Sequence, residues 1–174
     1  MSKAAAEFAR LVPLARLGSD KFRQQIAADE AERAALARRF GLVSLDRLVA
    51  DVELLREPAG TILLAAAFEA EFAQECIVTL DPVAGRVSER FQLRYGAPEA
   101  EPDAPAGDDD PAFEPLYREA IDVGEAVAQE FSLALPPFPR TLDAAVSDGA
   151  ATETQDEPDS PFAVLARLAR REPQ

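Results

Sequence analysis

The charge of this chain is placed unevenly, and the placement limits what each part can fold into. Of a formal net charge of −14, residues 1–96 carry −1 (13 Lys and Arg against 14 Asp and Glu), whereas residues 97–174 carry −13 (5 against 18). The near-neutral part, rich in alternating apolar residues, can bury a core. A run such as Glu99-Ala100-Glu101-Pro102-Asp103-Ala104-Pro105-Ala106-Gly107-Asp108-Asp109-Asp110-Pro111 repels itself and offers nothing to bury. The expected organisation is one α+β domain over residues 1–140 containing an acidic loop at 97–113, then a disordered acidic linker at 141–160, then a short C-terminal docking helix at 161–174.

Periodicity gives the elements of that domain. Pro13 and Gly18 punctuate an extended or looped start, with a short strand expected at Lys21 to Ala27. Asp29 and Glu32 have capping-box spacing, so a helix should start there and run to Phe40 with Leu36 and Phe40 on its buried stripe. It should end at Gly41, with Arg38 and Arg39 in the last turn beside the negative end of the helix dipole. From Leu48 the apolar period becomes two: Leu48, Ala50, Val52 and Leu54 share one face of a strand, and a turn at Pro58-Ala59-Gly60 follows. Ile62, Leu64, Ala66, Phe68, Ala70 and Phe72 continue on even positions, and the parity carries on through Cys76, Val78 and Leu80, with a bulge or bend expected near Ala73. Asp81 to Gly85 reads as the next turn, leading into a strand with Val87, Phe91, Leu93 and Tyr95 inward and Glu89 breaking the pattern. Short connections of this kind favour an antiparallel meander sheet, leaving open whether it curls toward a barrel. A second packed helix should begin at Asp122, where Glu125 repeats the capping-box spacing. It should bury Val123, Val127, Phe131 and Leu135, and stop at Pro136-Pro137-Phe138-Pro139.

Composition closes several function classes. No apolar run approaches the roughly 18 residues needed to cross a bilayer, and no apolar stretch follows the start Met1-Ser2-Lys3, so a cytoplasmic protein without a membrane partner is expected. Cys76 is the only cysteine and there is no His, which removes an internal disulfide, cysteine-rich metal sites and His-based catalysis. The expectation is therefore no catalytic residue, no metal, no cofactor and no small-molecule substrate.

Binding candidates remain. Arg86, Arg90 and Arg94 fall on one strand face and span roughly 27 Å at about 3.4 Å per residue, a reach that suits several RNA phosphates. The plainer reading is that they neutralise Glu69, Glu71 and Glu75 on the neighbouring strand. Lys21, Arg23, Arg38 and Arg39 could form a second patch if the first strand and the helix end meet, against a simpler role as dipole partners and solvated surface. Cys76 reads as buried filler, with no His or Lys beside it to activate the thiol. Ser160 to Arg171 combines Phe162, Leu165 and Leu168 with Arg167, Arg170 and Arg171, which suits a docking segment for RNA or protein, or one that packs on its own domain.

Three stretches together resemble the YceD family, the large ribosomal RNA subunit accumulation proteins of bacteria and plastids. They are Asp29 to Leu42, Cys76-Ile77-Val78-Thr79-Leu80-Asp81-Pro82-Val83, and Ile121 to Val127 leading into Leu133-Ala134-Leu135-Pro136; Ser160-Pro161-Phe162 is similar to the family's usual ending. Many relatives have a second cysteine where this chain has Thr79, so a role built on a cysteine pair is not available here. The resemblance implies a non-enzymatic factor that supports synthesis or stability of large-subunit ribosomal RNA. Its implied partner is that RNA, its precursor or an assembling ribosomal protein. The competing expectation is an acidic adaptor that captures a basic ribosomal protein without touching RNA.

Overall fold

The computed structural model describes residues 7–100 and 110–141. The chain divides into two units, residues 1–142 and 143–174, and all the described residues lie in the first. The elements are β1 (Leu11–Pro13), β2 (Phe22–Ala27), α1 (Glu30–Phe40), β3 (Ser44–Arg56), β4 (Ile62–Glu75), β5 (Pro82–Gly96), β6 (Ala112–Pro115), β7 (Ala120–Asp122) and α2 (Val123–Ala134), with short 3-10 turns at Leu14–Arg16 and Pro98–Ala100.

Strands β2 to β5 form the antiparallel meander, and β6 joins β5 in parallel, giving the order β2-β3-β4-β5-β6. The sheet is open rather than closed into a barrel, with β2 and β6 at its edges. Even positions are buried as alternation demands from Leu48 to Leu54 on β3 and from Ile62 to Phe72 on β4. The register sets Leu64 against Leu93 and Ala66 against Phe91, which brings the odd positions of β5 onto the same core face. Both helices cover that face. Phe131 of α2 meets Phe40 of α1 and Phe68 and Phe72 of β4 edge-on, with ring centroids 5.6–6.3 Å apart.

The ends of α1 follow local chemistry. Asp29 accepts from the Glu32 amide at 2.8 Å while the Glu32 carboxylate accepts from the Asp29 amide at 2.8 Å, the reciprocal box its spacing predicts. Gly41 takes the left-handed conformation (φ 65°). Its amide and that of Leu42 turn back to the carbonyls of Arg38 and Ala37, and Leu42 is buried against the core.

Four expectations change. The bulge falls on β3 rather than near Ala73: pairing slips between Leu45 and Arg47, so Asp46 is the extra residue opposite Phe72 and Glu71. The even parity stops at Cys76, because Val78 and Leu80 lie exposed in a tight loop and Leu80 adopts φ 66°. Of the residues read as the next turn, Pro82 to Gly85 are strand instead. Gly85 pairs with Phe72, and a side chain there would collide with the Phe72 ring, so this glycine makes room for an aromatic within a strand. Finally, the acidic loop ends earlier than expected, since β6 starts at Ala112.

The N-terminal segment also holds structure that its sequence does not announce. Phe8 is fully buried, and β1 pairs antiparallel with β7, matching Leu11 to Asp122. Asp122 accepts from the Arg10 amide (2.8 Å) as well as from Glu125 (3.2 Å), so one carboxylate caps α2 and clasps the N-terminal strap to it.

Candidate functional site

The sheet face opposite the helices carries the predicted basic row. Register places Arg86 opposite Glu71, and its guanidinium lies 3.7 Å from Glu69 and 3.9 Å from Glu71, while Arg47 of β3 approaches Glu69 from the other side at 3.9 Å. Arg94 donates to Glu57 at 3.0 Å. The Thr61 hydroxyl (2.6 Å) and then Arg94 hold the Glu57 carboxyl below its ordinary range against the opposing effect of burial. Arg90, exposed and opposite Ala67, makes no ion pair among the described residues. It borders a shallow hollow of about 1000 Å³ whose floor is Ala65 and Ala67 and whose rim includes Gln25, Asp51 and Gln92. Exposed pairs of this type contribute ~0–1 kcal/mol each, so the row is close to electrically balanced except at Arg90.

Arg38 is exposed and without an ion pair among the described residues. Arg39 is engaged: it grips Glu125 of α2 with two nitrogens at 2.7 and 2.9 Å and reaches Glu7 at 3.1 Å, tying the end of α1 to α2 and the N-terminal strap. Lys21 and Arg23 both bind Glu53 and hold its carboxyl down, so the two cations share one carboxylate. Phe162, Leu165, Arg167, Arg170 and Arg171, together with the expected linker and terminal helix, lie outside the described residues.

Cys76 departs most from its sequence reading. It is fully buried at the start of the β4–β5 loop, where the amides of Val78 and Thr79 point at its sulfur, each at 3.5 Å. The Thr79 hydroxyl, then the Thr79, Thr141 and Val78 amides, bring the thiol down from an ordinary 9.0 to about 6, against a smaller opposing effect of desolvation. The loop is closed by Cys76 donating to the Asp81 carbonyl (2.8 Å) and Leu80 to the Cys76 carbonyl (2.9 Å). Sequence reasoning looked for a charged neighbour and missed that backbone amides act as well.

A depressed acid pKa stabilises the fold in full above the unfolded value and loses that contribution as pH falls through the folded one. Folding stability should therefore rise from pH 6 to pH 9 in wild type, and the rise should flatten in Cys76→Ala, as urea unfolding across that range will show. The chain has no His to titrate in the same window, which makes the assignment direct. An equal rise in both proteins would mean that the sulfur stays protonated.

The loop also presents apolar side chains outward. Ile77 and Val78 are exposed, Leu80 is 66% exposed, and the Ile77 amide donates to Pro139 at 3.0 Å, which lays the segment carrying Phe138 (72% exposed) alongside. No helix among the described residues is long and apolar enough to cross a membrane.

Comparison with known protein families gives a match. The family model described as "Large ribosomal RNA subunit accumulation protein YceD" matches residues 64–169, from the start of β4 through the Cys76 loop and α2. No curated protein and no solved structure matches the chain. The matched residues make up more than half of the sequence, and the chain belongs to the YceD family of large ribosomal RNA subunit accumulation proteins.

Proposed function

We propose that this protein supports the accumulation of large-subunit ribosomal RNA in the cytoplasm as a non-catalytic factor that binds the precursor RNA directly. The observation that carries the reading is the family match over residues 64–169. Its physical support is that cations remain un-neutralised on an acidic body, Arg38 and Arg90 among them, and that the C-terminal residues add Arg167, Arg170 and Arg171. In a chain of net charge −14, such binding has to be local and strongly salt-dependent, because distant acidic groups oppose it and added salt competes for the phosphates.

Filter binding of the purified protein to large-subunit RNA fragments, with and without residues 160–174, tests this. Salt-sensitive binding that weakens on truncation supports the reading. A full-length protein that binds no RNA, while its depletion still lowers large-subunit RNA, overturns the direct contact and keeps the family role.

A second reading is favoured by the exposed Ile77, Val78, Leu80 and Phe138. An apolar patch beside Glu75 and Asp81 suits a basic protein partner with an apolar anchor. In that case a purified basic large-subunit ribosomal protein should bind wild type and lose affinity for Leu80→Asp, with RNA making no difference.

A further inference from the structure

With so many carboxylates in the chain, a cation without one is informative when it has company. Arg16, Arg56 and Arg118 are all exposed, and none of them makes an ion pair among the described residues. They are far apart in sequence, and the fold brings the segments that carry them together at Leu14. The Leu14 carbonyl accepts from Arg56 Nη2 at 3.3 Å. Its amide donates to the carbonyl of Glu119 at 2.9 Å, which brings up Arg118 one residue earlier. Arg16 closes the same 3-10 turn, two residues on, with its guanidinium held 5.3 Å from the centre of the Phe22 ring.

Beside Arg118 stands Tyr117, 79% exposed. Its loop is fixed on both sides, by Leu116 donating to Gly96 at 2.7 Å and by the Leu14–Glu119 bond. The aromatic ring is thus presented on a pinned loop. Of the nearby carboxylates, Glu57 already serves Thr61 and Arg94, and the exposed Asp20 and Glu119 make no ion pair with the three arginines.

We propose that this cluster is a binding site for single-stranded RNA, with Arg16, Arg56 and Arg118 holding phosphates and Tyr117 stacking on a base. The inference rests on the reading that the protein contacts RNA directly, and it names where. A row of like charges costs folding energy that an anion returns. A pinned, solvent-facing ring next to those charges matches the alternation of phosphate and base that single strands offer, which an acidic peptide lacks. Arg16 and Arg56 precede the family-matched residues 64–169, so the site is a property of this chain rather than of the family description.

The test uses the full chain and two probes, a short oligouridine and large-subunit ribosomal RNA, titrated by fluorescence anisotropy over a range of salt. The variant R16Q/R56Q/R118Q should bind at least about tenfold more weakly, and its log affinity against log salt should flatten by about 2, since each single-strand phosphate contact contributes ~0.7 to the slope. The charge-preserving R16K/R56K/R118K should keep the wild-type slope. Tyr117→Ala should lose about fivefold to a hundredfold with the slope unchanged, because stacking releases no counterions, and Tyr117→Phe should retain affinity. Thermal unfolding of each variant separates lost folding from lost binding. If the glutamine variant folds and binds with wild-type affinity and slope, the site is wrong while direct RNA binding stands. If wild type binds neither probe, yet restores large-subunit RNA in depleted cells, both the site and direct binding fall and the family role survives.

Discussion

Phe131→Ala should lower folding stability by about 3–5 kcal/mol, the largest effect of any single truncation described, and should shift the urea midpoint of unfolding accordingly. Phe131 is fully buried on α2, and its ring is met edge-on by Phe40 from α1 and by Phe68 and Phe72 from β4. The loss therefore adds the transfer of a whole aromatic side chain to three ring contacts, each worth ~0.5–1.5 kcal/mol. The hole cannot close easily. Its walls belong to a helix and to a strand locked between two neighbours by long ladders, so neither can move inward alone. Against a total stability of about 5–15 kcal/mol for a domain of this kind, such a loss removes a large share of it. Phe138→Ala, an exposed aromatic on the same C-terminal stretch, should shift stability by less than about 0.5 kcal/mol. Similar values for the two would show that α2 does not seal the core.

Gly124→Ala should destabilise by about 1–3 kcal/mol, although helix propensity alone would favour alanine by ~1 kcal/mol. Gly124 sits in the first turn of α2, where a Cβ would overlap the carbonyl oxygen of Phe8 and lie 3.0 Å from the Arg10 amide. Both obstacles are backbone and cannot rotate aside. The strap they belong to is anchored by the buried Phe8 ring, by Arg10 donating to Asp122, and by Val123 donating to the Arg10 carbonyl at 3.1 Å. The steric conflict thus outweighs the propensity gain. Urea unfolding gives the sign, and limited proteolysis should show earlier cleavage near residues 7–13 in the variant. A more stable variant would mean that the strap can shift away from α2 at little cost.

The parts that could be read from sequence are those whose cause is local. Asp29, Glu32 and Gly41 sit within a few residues of the helix ends they fix, and the alternation from Leu48 to Phe72 needs only the two faces of a strand to explain it. What could not be read depends on pairing across the chain. Strands β1 and β7 have three residues each, too few to show a period, and exist because they meet each other. Cys76, Val78 and Leu80 keep an apolar parity that suggests more strand, yet amides turning toward the Cys76 sulfur close a loop there. The same limit applies to the candidate site. That Arg86 faces acidic residues follows from strand spacing, whereas Arg39 meets Glu125 across 86 residues, and the segments carrying Arg16, Arg56 and Arg118 meet at Leu14 only once the fold is made.

The pairing of Leu11 with Asp122 has a bearing on synthesis. A growing chain offers its first strand long before the partner exists, and at roughly 5–20 residues per second the wait is on the order of ten seconds. Meanwhile β2 to β5 and α1, complete by Gly96, can assemble from neighbouring contacts, so the meander should form first and the ends should be fastened across it last. A polypeptide released before residue 120 could pair those strands but would leave Phe8, Val12 and the β4 aromatics without the helix that shields them. Such a fragment is the kind of nascent product that chaperones and proteases recognise.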